Sequence, residues 1–263
     1  KSLTPAYEGA FSMEALQEEA KVQFDDFGVP HIQAQNARDG YFLLGYLTAQ
    51  DRLFQIELMR SVAKGEIAAI FGPEALDVDI MYRTLGIGQA SKASAERFIQ
   101  EADPQIVAEV KSYVDGVNAS IAEANLPMEY KINGFEPKPF TIQDVYAIAG
   151  YMAWGFGLAQ KTDPLASEMQ QTYGNDWLNS MFLHPTLKEH HIPSYPMIGD
   201  TTYWNTTAFY DKIPIPPFHG SNAWAVSGNK TASGKPMLCN DTHIGYGIPQ
   251  VWYESHLTVQ DDF

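Results

Sequence analysis

The sequence holds one cysteine, Cys239, in 263 residues. That excludes an internal disulfide and any metal site built from several cysteines. Cys239 lies in the apolar run "KPMLCND" and is expected to be a buried structural thiol. Positive charge is scarce: 17 Lys and Arg face 32 Asp and Glu, a net charge of −15. Such a chain lacks the basic surface that nucleic acid demands, and it is repelled by anionic membrane surfaces. Long apolar runs are absent too. The longest uncharged apolar stretch, Val145 to Ala159, falls short of the roughly 20 residues of a spanning helix. The chain opens on Lys1 without an initiator methionine or a leader pattern, and is expected to be a processed or trimmed segment. Composition leaves the compartment open.

What is present is a folded globular composition, 45% hydrophobic and 13% aromatic, in a length sufficient for one large domain or two modest ones. Residues 20–35, "AKVQFDDFGVPHIQAQ", read as two short strands around an Asp26-Phe27-Gly28 turn. From residue 39 the period changes to helical: Leu44, Leu47, Leu53, Phe54, Ile56 and Leu58 recur at helix-like spacings until Gly65. A short helix over about 66–71 stops at Gly72-Pro73. In the alanine-rich stretch 91–124, Asp103 is a predicted N-cap with Pro104 at the first helical position. Residues 125–140 read as an irregular connector. Thr141 and Asp144 form a predicted cap for a helix, "IQDVYAIAGYMAWGFGLAQ", that is apolar nearly all round and therefore buried or pocket-lining. Another short helix is expected around 164–173. Residues 183–220 accumulate proline, histidine and aromatic residues in a stretch too long for an ordinary connection. After Ser221 the pattern becomes strand, turn, strand.

Few residues advertise chemistry. His184, Glu189, His190 and His191 cluster, but without the H-E-x-x-H spacing that places two imidazoles on one ion. No nucleophile elbow supports a Ser-His-Asp triad, which spacing alone neither makes nor excludes. Ser221, in "PPFHGSNAW", has two readings. It is a plain strand-start serine, or the chain is cut before it. A released Ser221 would carry its own base, because an α-amine titrates at about 8 and can take the hydroxyl proton, through water if need be. Gly220 suits the strained backbone that would let the Ser221 hydroxyl attack the preceding carbonyl.

Three blocks bear on that choice. "HGSNAWAVSGNKTASGKPMLCNDTHIG" resembles the start of the heavy chain in the penicillin acylase family of N-terminal-nucleophile hydrolases: Ser221 first, Asn222 second, Trp224 fourth, then a hairpin ending Asn240-Asp241-x-His243. "DDFGVPHIQA" and "AQDRLFQIELMRSVAKGEIAAIFG" resemble two light-chain blocks, in the same order.

The resemblance implies an α+β fold, four-layer αββα in the complete protein. Here it would comprise a mostly helical light-chain region (1–182), a spacer (183–220) and a truncated heavy-chain start (221–263) with its first hairpin. It implies a periplasmic or secreted amide hydrolase precursor, self-cleaved at Gly220-Ser221. Ser221 would then deacylate β-lactam or other N-acyl substrates through an acyl-enzyme. His243 matches a position where several members place a histidine beside the nucleophile; its other reading is a hairpin-end histidine. Met152 and Phe156 match acyl-pocket residues, against the alternative of a core stripe, since i and i+4 share a helix face. Ile244 stands where penicillin G enzymes carry a pocket phenylalanine, and His243 where they carry glutamine. Those departures leave room for penicillin V, cephalosporin or acyl-homoserine-lactone acylases. In the family the oxyanion hole and most calcium ligands lie beyond residue 263, and Asp163 to Glu168 offers no clean calcium ligand. The resemblance implies chemistry that needs no cofactor and leaves room for a structural calcium in the full-length protein, and this fragment alone is expected to be inactive. Two rivals stand beside this reading. One is a non-catalytic acylase-like domain that binds acylated molecules. The other is a fragment whose hairpin pairs with further strands or a second copy.

Overall fold

The computed structural model describes residues 7–123, 126–157, 169–174, 176–177, 180 and 218–260. Packing divides the chain into two compact units, Lys1–Met152 with Gly247–Phe263, and Ala153–Tyr246.

The first unit starts with a hairpin of β1 (Lys21–Phe24) and β2 (Pro30–Ala34), paired antiparallel. Asp25 builds its turn: one carboxylate oxygen accepts from the amides of Phe27 and Val29 at 2.9 and 3.0 Å. Pro30, Ile32 and Ala34 point inward, the alternation of a half-buried strand. A third strand, β5 (His256–Val259), joins β2 in parallel from the far end of the sequence, an element that the strand-turn-strand reading of the C-terminal region omits.

Helix α1 (Ala37–Lys64) is the spine of this unit. The Asn36 side chain caps its start by accepting from the Asp39 amide at 2.8 Å, and Gly65, left-handed at φ 66°, closes it. Asp39 is buried and accepts from the amides of Gln17 and Glu18 and from Asn36, which ties the N-terminal segment to the helix. Helices α2 (Ala68–Phe71), α3 (Leu76–Leu85) and α4 (Ile87–Glu101) follow. The Asp79 carboxylate of α3 accepts from the Ile67 and Ala68 amides, giving α2 the cap its own sequence lacks. Helix α5 (Pro104–Ala122) begins as expected, with Asp103 accepting from Gln105 and Pro104 at the first position.

The 125–140 connector is not wholly irregular. It contains helix α6 (Met128–Asn133), held because Tyr130 buries its ring among Phe54, Phe135 and the α1 core. Helix α7 (Ile142–Phe156) is capped by the expected pair: Asp144 accepts from the Thr141 amide and hydroxyl at 2.9 and 2.7 Å. Two apolar clusters form the core. One joins α1, α5 and α6 around Leu53, Val117 and Tyr130; the other seats Ile32 on Phe42, Leu43 and Leu47.

The second unit contains the end of α7, the helical residues 169–173, and a two-stranded antiparallel sheet of β3 (Phe218–Val226) and β4 (Met237–Ile244). β3 starts before the "NAWAVS" of the sequence pattern and ends at Val226, and β4 starts at Met237 and ends beyond its "KPMLCN". Cys239 corrects the expectation of a buried thiol: it is exposed. An apolar run turns inward only where a second layer covers it. Cys239 pairs with Trp224, itself 53% exposed, and Leu238 is 79% exposed, so among the described residues neither face of this hairpin is covered.

Candidate functional site

The hairpin brings four of the singled-out residues together. Gly220 lies opposite His243, Ser221 opposite Thr242, Asn222 opposite Asp241, and Phe218 opposite Ile244. The Gly220–Ser221 bond is therefore inside a paired strand. The ladder is irregular immediately upstream, between Phe218 and Gly220. Such irregularities bend the bulged strand and recur next to active sites.

The pleat sorts the side chains. Ser221 and Thr242 share one face, and Asn222, Asp241 and His243 share the other. On that second face Nε2 of His243 lies 2.7 Å from Oδ2 of Asp241, and Nδ2 of Asn222 is 3.4 Å from the same nitrogen. The short contact to a carboxylate dominates, since a charge-assisted bond is roughly twice as strong as a neutral one. It favours an Nε2 proton donated to Asp241, which leaves Nδ1 as the basic nitrogen. A carboxylate that fixes the tautomer and orientation of an imidazole is the arrangement that prepares a general base. The sequence reading assigned no role to Asp241, although the D-x-H spacing holds the signal. On a strand, i and i+2 point to the same face.

Met152 and Phe156 are half-buried one turn apart on α7. A cavity of about 700 Å³ in the first unit is lined by Tyr7, Phe11, Leu43, Tyr46, Gln50 and Glu123 among others, and not by Met152 or Phe156. The histidine run at 184–191, residues 163–168 and the expected spacer up to 217 lie outside the described residues. Among those described, no group of three or more His, Cys, Asp or Glu converges as a metal site, so no residue is assigned to calcium. No helix among them is long and apolar enough to cross a membrane.

The family profile for penicillin amidase matches residues 19–263. The chain belongs to the penicillin amidase family. It is 31% identical to the penicillin acylase 2 proenzyme of Pseudomonas sp. strain SE83, over 96% of this chain and 34% of that protein. Acyl-homoserine lactone acylase QuiP of Pseudomonas aeruginosa is 26% identical, over 94% of this chain and 30% of its own. This penicillin amidase family chain therefore spans about a third of the length of the curated relatives it matches. Among solved structures, a chain of thermostable penicillin G acylase from Alcaligenes faecalis matches with a TM-score of 0.52 at 28% identity. That match covers 70% of this chain and 97% of the solved one. The mostly helical α+β architecture agrees with it.

Proposed function

We propose that this chain is the front part of an N-acyl amide hydrolase precursor, with Ser221 as its latent nucleophile. The observation that carries the reading is the Gly220–Ser221 bond itself. It lies next to the irregularity of β3, at the start of the hairpin whose other strand holds the Asp241–His243 pair. Two comparisons support a cut chain. One relative is named a proenzyme, and 70% of this chain accounts for 97% of the solved acylase chain.

In this reading the Ser221 hydroxyl attacks the Gly220 carbonyl and the acyl group shifts from nitrogen to oxygen. Water then hydrolyses the ester, leaving a Gly220 carboxylate and a free Ser221 amine. That amine is the base for later turnovers. The hydroxyl adds to the substrate acyl carbonyl, its proton passes through the amine to the departing amine, and an acyl-enzyme ester remains for water to open. Loss of the peptide bond frees the Ser221 side chain to turn from the Thr242 face toward Nδ1 of His243. Met152, Phe156 and Ile244 are proposed acyl contacts. The four-layer fold, a structural calcium and a periplasmic or secreted location belong to the same proposal for the complete protein. The relatives divide between penicillin and homoserine-lactone names, so the substrate class proposed is an N-acyl amide.

The test is intact-mass analysis of the full-length protein. A fragment beginning at Ser221, abolished by Ser221→Ala, is the expected result. The two pieces should elute together, because β5 of the later segment pairs with β2 of the earlier one and Leu257 packs in its core. A parent that stays uncut, and releases no acid from aryl-acetyl or long aliphatic N-acyl substrates, overturns the proposal.

A further inference from the structure

We propose that His31 and His256 form a seat for a transition-metal cation, zinc being the ion they suit, on the outer face of the β1–β2–β5 sheet. The strands create the pair. β2 and β5 run parallel with His31 opposite His256. Ile32 and Val259 turn into the core, and the two imidazoles project the other way, into solvent. Their rings stand nearly perpendicular, at 87° with centroids 5.2 Å apart, and the two Nδ1 atoms approach to 3.1 Å. Two imidazole nitrogens bound tetrahedrally to zinc at 2.0–2.1 Å are about 3.3 Å apart. A small opening of the pair therefore admits the ion.

Asp25 supplies the second observation. Its Oδ2 lies 3.5 Å from Nε2 of His31, while its Oδ1 is held by the amides of Phe27 and Val29. A carboxylate on that side favours the tautomer with the proton on Nε2, so the Nδ1 lone pair of His31 is directed at His256. A carboxylate behind the distal nitrogen is also what orients metal-ligating histidines in general. At 3.1 Å two lone pairs repel unless something positive stands between them. That is either a proton carried by His256 or a metal cation. Both rings are exposed, so water completes the coordination. Imidazole donors select zinc, copper or nickel rather than the oxygen-seeking calcium, so this seat is chemically distinct from the calcium expected of the complete protein. The site links residues on either side of Gly220–Ser221, and its formation does not depend on that bond being cut.

The experiment titrates metal-stripped protein with zinc chloride by isothermal calorimetry, alongside thermal unfolding. The chain holds seven histidines, so the readout is a difference between variants. One equivalent of zinc should vanish in His31→Gln and, separately, in His256→Gln, with each variant confirmed as folded by circular dichroism. Asp25→Asn should weaken that equivalent about tenfold while keeping the stoichiometry. Zinc should raise the unfolding midpoint of the parent and not of His256→Gln, since only a native-state ligand stabilises by mass action. Full stoichiometry in either histidine variant places the zinc elsewhere, on His184, His190 or His191 for example, and overturns the proposal. A parent that binds no zinc leaves the pair as a shared-proton contact and overturns it equally.

Discussion

Gly45 of α1 lies against the main-chain carbonyl of Tyr113 in α5, so closely that a Cβ on it would stand 2.0 Å from that oxygen. The contact is reciprocal. A Cβ on Gly116 of α5 would stand 1.9 Å from the Phe42 carbonyl. The two helices cross backbone to backbone, and Leu43, Leu47 and Val117 are buried beside the crossing.

Gly45→Ala and Gly116→Ala should each force the helices apart, because a carbonyl oxygen has no rotamer with which to retreat. The expected cost is about 3 kcal/mol, the upper part of the overpacking range. Gly134→Ala meets no steric neighbour within contact distance and differs only in its positive φ of 69°, so it should lose clearly less. Urea unfolding of the three variants ranks them; equal losses at Gly45 and Gly134 would refute the crossing argument.

Arg60 shows a second device of the same unit. Its guanidinium forks onto Glu57 at 2.6 and 3.1 Å, reaches the carbonyls of Lys138 and Pro139, and lies 3.5 Å from Asp144. Burial alone would lower its pKa, but the Glu57 and Asp144 charges outweigh that and raise it. Removing one member leaves the others charged and dry. Arg60→Ala or Glu57→Ala should cost about 3–5 kcal/mol. Arg97→Ala breaks an exposed ion pair with Glu101 and should cost less than about 1 kcal/mol. Chemical denaturation separates the two outcomes, and a small loss at Arg60 would mean that water reaches the cluster.

These features differ in how far the sequence reveals them. Gly65, the Asp103-Pro104 start and the Thr141–Asp144 cap read directly, because each is a bond between neighbours in the chain. Helix α6 hides between "NLP" and "NGFEPKP". Its formation rests on Tyr130 finding a core made by α1, which no local window contains. Strand β5 alternates correctly but pairs with a strand more than two hundred residues earlier, and Cys239 is exposed because among the described residues no second layer covers its strand. At the candidate site the motif marks Ser221 and His243. The role of Asp241 emerges only when the pleat puts it on the His243 face.

The last prediction concerns alkaline pH. Asp51 accepts from the hydroxyls of Tyr7 and Tyr253, at 2.8 and 3.1 Å, which ties both ends of the described chain to α1. Burial, then the Asp51 bond and charge, push the Tyr7 phenol up to about 12, and burial, then the same carboxylate, raises Tyr253. An ordinary tyrosine titrates near 10. Because the folded pKa is the higher one, the contribution is complete below pH about 10 and is lost as pH climbs through about 12. Ionised phenols beside a carboxylate then repel it and the tether opens. Tyrosinate absorbance should show Tyr7 ionising late, and Tyr7→Phe should remove that late titration. Asp51→Asn should bring it back toward the ordinary value while the protein remains folded at pH 7. A Tyr7 that ionises near 10 in the parent would show that the hydroxyl is not held by Asp51.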